Sequence, residues 1–256
     1  MKILLAFFDM VRVDHLKLYN SKAPQETAFD KLFRKIGGTL FDRCYTPAPD
    51  TPRSLACLQT GYLPFKNGCD TRIKWPKFFI KDNVSTIFDN AVSRGYNVNL
   101  CIRKPTVLTG EFKYKESDKI TLSYTFDEFL TKAQFSENSL SYIGNVDPHI
   151  VVGEYGGSDY GLNKVSEVVD LYFKKYMTID FLNQFDVVIF FSDHGLKTTK
   201  EKYTQKSKLD LLLDGRTKLL MFYHAKGDKK VRIDDRLCSM VDLYSTIEQL
   251  TGGTDM

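Results

Sequence analysis

The sequence has no long hydrophobic run. No stretch approaches the roughly 20 consecutive apolar residues that a membrane-spanning helix needs. The apolar residues 3–8 are too few for a signal peptide, end at Asp9 and lack a small-residue cleavage site. We therefore expect residues 3–8 to form a buried first strand, and we expect the protein to be cytoplasmic.

Several motifs that would define a class of function are also absent. The cysteines are odd in number and form no CxxC pair, which disfavours a disulfide framework or a zinc knuckle. We expect reduced thiols at Cys44, Cys57, Cys69, Cys101 and Cys238. The net charge of +4 comes from Lys and Arg spread among Asp and Glu, so no nucleic-acid-binding surface is indicated. Without a GxGxxG motif or a P-loop, nucleotide binding on a doubly wound sheet is disfavoured.

Short apolar runs alternate with longer amphipathic segments along the 256 residues. The pattern predicts strands at residues 3–8, 40–45, 98–102, 186–192 and 218–223. It predicts helices at residues 28–36, 51–58, 84–94, 126–132, 163–177 and 240–250, and loops at 46–52, 61–81, 104–123 and 153–161. This alternation is typical of an α/β fold with a mostly parallel central sheet and helices on both faces. We treat residues 1–256 as a single catalytic domain.

Side chains of metal-ligand type follow two of the predicted strands. Asp9 comes directly after the first strand, and Asp193 and His194 come after the most apolar one, with Gly195 permitting a sharp turn. In open α/β sheets, ligand-binding and active sites lie at the carboxyl ends of the strands. Carboxylate and imidazole together suit zinc or manganese. Taken singly, Asp9 could instead cap a helix or form a salt bridge, and Asp-His-Gly could be a plain turn.

A hydroxyl residue lies where a loop enters a short apolar helix. Thr51 is followed by Pro52, a residue favoured in the first turn of a helix. A nucleophile at this position would gain from the helix dipole and from free backbone N–H groups, which also bind phosphate. The alternative is that Thr51 only caps the helix, which is a common role for threonine.

In their order along the chain, these features resemble the sulfatase-like branch of the alkaline phosphatase superfamily. That pattern has an acidic metal ligand after the first strand, then a nucleophile segment, a Ser-Asp-His-Gly motif and a terminal Val-Asp-Leu-Tyr-x-Thr-Ile helix. The corresponding positions here are Asp9 and residues 51–61, 192–195 and 241–247. The resemblance covers essentially the whole chain and implies the core fold of that superfamily.

The resemblance also implies a role for each matching residue. The implied metal ligands are Asp9, Thr51, Asp193 and His194, with Thr51 also the nucleophile. His149 belongs to a stretch similar to the family's Asp-x-His and is implied as general acid or as a contact to the transferred group. A loop histidine without a role is the alternative. Arg53 and either Arg103 or Lys104 are candidate clamps for the anion, although Arg53 could also be a plain surface arginine.

Two departures from the family pattern restrict the reactions and the metals that we expect. Sulfatases need a Cys or Ser that is converted to formylglycine, and Thr51 stands at that position. Met10 replaces a second acid after the first strand, which makes a calcium site less favourable. The remaining ligand set resembles the manganese or zinc sites of phosphoglycerol and phosphoethanolamine transferases. We expect one divalent metal, because a second site built from Asp147, His149 or Asp159 together with His224 would be poorly spaced.

The predicted function is metal-dependent phosphoryl transfer through a covalent intermediate on Thr51, as a phosphotransferase, phosphodiesterase or phosphatase. Because export signals are absent, we expect a soluble phosphate-ester or nucleotide-activated donor and a polysaccharide acceptor. The alternatives are a sulfatase-like hydrolase of sulfate or phosphate monoesters and a non-catalytic binding module with the same fold. Family members usually continue beyond the final helix, so we expect the chain to be truncated or to be the catalytic part of a longer protein.

Overall fold

The structure is a computed structural model that describes residues 1–70, 79–102, 112, 114–156, 158–196 and 213–253. The strands are β1 (Lys2–Phe8), β2 (Gly38–Phe41), β3 (Cys44–Tyr45), β4 (Asn97–Cys101), β5 (Ile120–Ser123), β6 (Ser139–Asn145), β7 (Val187–Phe191), β8 (Met221–Ala225), β9 (Val231–Asp234) and β10 (Cys238–Ser239). The helices are α1 (Ala28–Ile36), α2 (Thr51–Thr60), α3 (Pro64–Asn67), α4 (Ile87–Ser93), α5 (Phe126–Lys132), α6 (Asp147–Tyr155), α7 (Asp159–Lys175), α8 (Ile179–Leu182), α9 (Asp214–Thr217) and α10 (Asp242–Leu250).

Eight strands form the central sheet in the order β5-β4-β6-β1-β7-β8-β2-β9. The five strands from β5 to β7 run parallel to one another. Strand β8 is antiparallel to both of its neighbours, and β9 is parallel to β2. A separate parallel pair joins β3 to β10. The prediction of a mostly parallel α/β sheet is confirmed.

The alternation of side chains along β1 explains why helices cover both faces of the sheet. Ile3, Leu5 and Phe7 are buried in one apolar cluster, which also contains residues from α2, α4 and α10. The intervening residues of β1 are buried in the opposite cluster with residues from α1, α5, α7 and α8. Because both faces of β1 are covered, its sequence is continuously apolar.

Helix α1 shows how local sequence sets the bounds of these elements. The hydroxyl of Thr27 accepts a hydrogen bond from the Asp30 amide, and the Asp30 carboxylate accepts one from the Thr27 amide. This reciprocal capping begins the helix, and Gly37, with a φ of 72°, ends it. In the part of the chain that the structure describes, no helix is long and apolar enough to cross a membrane.

The prediction missed strand β6, which lies between β1 and β4. Its residues Ser139 and Ser141 are completely buried, which a hydropathy pattern does not suggest. The side-chain amide of Asn99, on β4, donates a hydrogen bond to the Ser141 hydroxyl at 3.2 Å. Cross-strand bonding of this kind allows polar residues in a buried strand.

Other predicted bounds were also wrong. The predicted loop at residues 104–123 contains β5, and the loop at 61–81 contains α3. The segment 153–161 is mostly helical, because α6 extends through Tyr155 and α7 begins at Asp159. The strand predicted at 40–45 is divided into β2 and β3, which pair with different partners. Strand β9 was not predicted.

Candidate active site

The site begins at the carboxyl ends of two neighbouring strands. Asp9 directly follows β1, and Asp193 and His194 follow β7 after one intervening residue. Because β1 and β7 are adjacent and parallel, with Phe7 opposite Phe191, their carboxyl ends lie at the same edge of the sheet. The structure therefore brings together three residues that are distant in sequence.

These three side chains form a compact, buried cluster. One ligand atom from each of Asp9, Asp193 and His194 lies within 4.8 Å of the other two. Among the described residues, no other group of three His, Cys, Asp or Glu side chains has this geometry. All three are at most 3% exposed.

The hydrogen bonds of His194 determine which ring nitrogen faces the cluster. Its Nδ1 lies 2.7 Å from the carbonyl oxygen of Gly195, which can only accept, so Nδ1 must carry a proton. In the neutral ring, Nε2 then presents a lone pair. That atom lies 3.3 Å from Asp193 Oδ2 and 3.9 Å from Asp9 Oδ1. Three electron-rich atoms therefore converge on one point.

Asp193 carries a buried charge that the protein does not fully compensate. Its Oδ1 accepts a hydrogen bond from the Met10 amide at 3.2 Å, whereas Oδ2 has no hydrogen-bond partner among the described residues. Burial, followed by the negative charge of Asp9, raises the pKa of Asp193 to about 6. An unsatisfied buried carboxylate is unfavourable unless a cation or proton joins it.

These observations fit a divalent cation. Two carboxylates and one unprotonated imidazole nitrogen are the ligand types of zinc and manganese sites. The bond from His194 Nδ1 to a backbone carbonyl is the usual way to orient a metal-binding histidine. The residues that would hold the ion are Asp9, Asp193 and His194, and Thr51 is positioned as a fourth.

Thr51 is the first residue of α2, and its hydroxyl faces the cluster. Its Oγ1 lies 3.4 Å from both Asp9 Oδ1 and His194 Nε2. The alternative interpretation of Thr51 as the cap is wrong, because Asp50 is the N-cap and its carboxylate accepts a hydrogen bond from the Arg53 amide. Capping by Asp50 leaves the Thr51 hydroxyl available for chemistry.

Ser54 joins helix α2 to the loop that carries Asp193, a contact that the sequence did not predict. Its hydroxyl is completely buried and donates to the backbone carbonyl of Asp193 at 2.9 Å. It also contacts Thr46 Oγ1 at 3.0 Å and Met240 Sδ at 3.1 Å. Its position three residues after Thr51, within one helical turn, was the only signal in the sequence.

The chain superimposes on solved structures of several enzymes. It has a TM-score of 0.68 with a 2-O GAG sulfatase, at 14% identity over 100% of this chain and 71% of that one. For murine ectonucleotide pyrophosphatase/phosphodiesterase 5 the TM-score is 0.70, at 13% identity over 100% of this chain and 96% of that one. For the phosphonate monoester hydrolase of Agrobacterium radiobacter it is 0.57, at 13% identity over 98% and 73%.

The chain has the alkaline phosphatase superfamily fold. The resemblance inferred from the motifs is thereby confirmed at the level of the fold. No protein-family model and no curated protein matches the sequence. At these identities, likeness to the superfamily's structures establishes architecture, and the function has to be argued from the site.

Met10 directly follows Asp9 at the end of β1. Its φ of 60° is the only positive value among non-glycine residues that the structure describes. This left-handed conformation allows the Met10 amide to donate to Asp193 Oδ1. Residues held in such conformations are found preferentially at functional sites. The backbone of Met10 thus positions the candidate ligand Asp193, although the Met10 side chain has no oxygen atom to offer a metal.

His149 lies in the first turn of α6, against the metal cluster. Its Nδ1 is 3.1 Å from Asp9 Oδ2, and its side chain is 55% exposed. The hydrogen bond to Asp9 is the main cause that raises the pKa of His149 above 6.5. The imidazole therefore has one nitrogen that donates to a candidate ligand and a half-exposed ring accessible to a substrate.

The other residues that were considered for the site lie elsewhere or outside the described residues. Arg53 lies in the first turn of α2, where its guanidinium pairs with the Asp50 carboxylate. Arg103 and Lys104 lie outside the described residues. His224, considered for a second metal site, is buried on β8 and bonds the Gly37 carbonyl through Nδ1 at 3.0 Å. The anion-clamping role of Arg53 stays a prediction.

Proposed function

We propose that the protein catalyses metal-dependent phosphoryl transfer with Thr51 as the nucleophile. The observation that carries this proposal is the placement of the Thr51 hydroxyl, 3.4 Å from both Asp9 and His194 at the amino terminus of a helix. Threonine cannot become formylglycine, the group that sulfatases use. The hydroxyl itself is therefore the reacting group, and phosphate esters are the substrates that it suits.

Asp9, Asp193 and His194 would hold one manganese or zinc ion, with Thr51 as the fourth ligand. When bound, such an ion lowers the pKa of a nearby hydroxyl and neutralises negative charge on phosphate oxygens. The protein itself orients the ligands through the Met10 amide, the Gly195 carbonyl and the Ser54 hydroxyl.

Thr51 attacks phosphorus in line with the leaving oxygen. The Thr51 hydroxyl proton passes to Asp9 Oδ1, to which the hydroxyl donates, as the new bond joins Thr51 Oγ1 to phosphorus. The bond from phosphorus to the leaving oxygen breaks, which produces a phosphothreonine. The positive end of the α2 helix dipole favours the negative charge of the phosphate oxygens at this position. Water or an acceptor hydroxyl then attacks phosphorus and restores the Thr51 hydroxyl.

His149 is the proposed general acid for the leaving group. Its Nδ1 is held by Asp9, so a protonated ring would present Nε2–H on the side away from that carboxylate. The hydrogen bond to Asp9 raises the pKa of His149 above 6.5, which widens the pH range in which the ring is protonated. The proton on Nε2 passes to the leaving oxygen as its bond to phosphorus breaks.

We propose a phosphate ester or a nucleotide-activated compound as the donor and a polysaccharide as the acceptor. A hydrolase and a transferase share every step up to the phosphothreonine and differ in the group that attacks it. Donor turnover measured with and without acceptor glycan separates them, because a transferase requires the glycan and a hydrolase does not.

The test compares Thr51→Val with Thr51→Ser. Valine keeps the shape of the side chain without its hydroxyl, whereas serine keeps the hydroxyl. With manganese or zinc, and aryl phosphate monoesters, aryl phosphate diesters and aryl sulfates as substrates, we expect the wild type to cleave a phosphate ester. Thr51→Val should lose at least about 10³-fold in kcat, and Thr51→Ser should retain measurable activity.

Mass spectrometry of acid-quenched protein should find phosphate on Thr51 during turnover. Equal activity of Thr51→Val and wild type would refute the nucleophile, and cleavage of sulfate esters alone would favour a sulfatase. Binding of the esters without turnover by the metal-loaded wild type would indicate a binding module.

A further inference from the structure

Two cysteines that the site does not use face each other across the β3–β10 pair. Cys44 on β3 and Cys238 on β10 are directly opposite in the parallel register. Parallel neighbours lie about 4.8 Å apart and direct their side chains to the same face. That separation falls within the roughly 4.4–6.8 Å between Cα atoms that disulfides span. Each thiol perturbs the pKa of the other.

From this juxtaposition we infer that Cys44 and Cys238 are a modification site, which a peroxide converts to a disulfide. Cys238 is the partly buried member of the pair, and Cys44 is completely buried. Because Cys238 is the more accessible thiol, an oxidant reaches it first. Cys44 is already in place as the second thiol.

The environment of Cys238 agrees with its role as the thiol that reacts first. The hydrogen bond from Cys44 lowers the pKa of Cys238, and the same contact raises the pKa of Cys44. Thiolate character and exposure are what make a cysteine reactive. In contrast, burial raises the pKa of Cys57 and of Cys101 to about 12, which makes both poor nucleophiles.

The reaction balances with hydrogen peroxide as the oxidant. The Cys238 thiolate attacks one peroxide oxygen, the O–O bond breaks, and sulfenic acid and hydroxide are formed. The Cys44 sulfur then attacks the Cys238 sulfur, the S–O bond breaks, and water leaves with the Cys44 proton. Peroxide is reduced by two electrons, and the two thiols are oxidised to one disulfide.

The Cys44–Cys238 pair is connected to helix α2 through a short chain of contacts. The carbonyl of Tyr45, next to Cys44, accepts a hydrogen bond from the Met240 amide at 3.3 Å. Met240 Sδ in turn contacts the Ser54 hydroxyl, which holds the backbone of Asp193. A disulfide would therefore cross-link the strand pair that supports this network.

Peptide mapping of the folded wild-type protein tests the inference. The protein is treated with hydrogen peroxide, its free thiols are alkylated under denaturing conditions, and the digest is analysed by mass spectrometry with and without reductant. We expect one linked peptide pair, Cys44 with Cys238, that disappears on reduction, and alkylated Cys57, Cys69 and Cys101. Five alkylated thiols after treatment, or oxidised Cys238 without a link to Cys44, would overturn it.

Two variants test the role of Cys44 as the second thiol. In Cys44→Ser the second thiol is missing, so the sulfenic acid on Cys238 should persist and react with dimedone. The matched control Cys69→Ser removes another buried thiol and should form the Cys44–Cys238 link as the wild type does. If Cys44→Ser does not fold, the map of the wild type alone decides the question.

Discussion

The substitution Asp193→Asn should stabilise the metal-free protein while abolishing metal binding. The pKa of Asp193 rises from 3.8 to about 6 because its burial disfavours the charge, followed by the effect of Asp9. A shift of this size corresponds to about 3 kcal/mol, since one pKa unit is about 1.4 kcal/mol. Because the folded-state pKa is the higher one, the stabilisation by protonation is complete below pH 3.8. It is lost as the pH rises through about 6.

Asparagine is a suitable replacement for geometric reasons. Its Oδ1 can keep the hydrogen bond from the Met10 amide. Its amide nitrogen would occupy the position of Asp193 Oδ2, 3.3 Å from His194 Nε2, and could donate to that lone pair. The variant therefore removes an uncompensated charge and satisfies an atom that lacks a partner.

The assay is urea denaturation in EDTA at pH 7.5 and pH 4.5. We expect the free energy of unfolding of Asp193→Asn to exceed that of wild type by up to about 3 kcal/mol at pH 7.5 and about 1 kcal/mol at pH 4.5. Adding manganese or zinc should stabilise only the wild type. The control Asp30→Asn replaces an equally buried carboxylate that accepts several hydrogen bonds, and it should destabilise by about 1–3 kcal/mol. A less stable Asp193→Asn at pH 7.5 would refute the reasoning.

Three further predictions concern activity, packing and metal linkage. The rate should fall as the pH rises through the pKa of His149, which the hydrogen bond to Asp9 raises above 6.5. The variant His149→Gln should lose about 10²-fold in kcat, and its rate should no longer fall over this pH range. Gly195→Ala would place a Cβ 2.1 Å from the Gly215 carbonyl and should lower the free energy of unfolding by about 1–3 kcal/mol, whereas Gly153→Ala, with open space around it, should not. Metal affinity, measured calorimetrically, should weaken below about pH 6, because protons compete for the carboxylates; a pH-independent affinity would contradict this.

The sequence allowed much of the fold to be predicted, for identifiable reasons. Strands β1 and β7 are continuously apolar because both faces are buried, and α1 has a capping pair and a terminal glycine. Strand β6 was missed because two of its buried residues are serines, and the contact of Ser141 with Asn99 on another strand exists only after folding. Strand β5 was missed because four residues give too little periodicity.

The candidate site was also predicted from the sequence only in part. The convergence of Asp9, Asp193 and His194 followed from their positions after strands that a parallel sheet brings together. The cap at Asp50 was not predicted, because Asp50 and Thr51 are both good capping residues and local sequence does not choose between them. The bond from Ser54 to Asp193 joins residues 139 positions apart, so only the folded chain shows it.

A crystal structure of the protein grown with manganese, with anomalous diffraction data, tests the central claim most directly. The account predicts one anomalous peak within about 2.0–2.2 Å of carboxylate oxygens of Asp9 and Asp193 and of His194 Nε2. Thr51 Oγ1 should be on the open side of the ion. No peak among these residues at saturating manganese or zinc, or a peak at a different site, would contradict it.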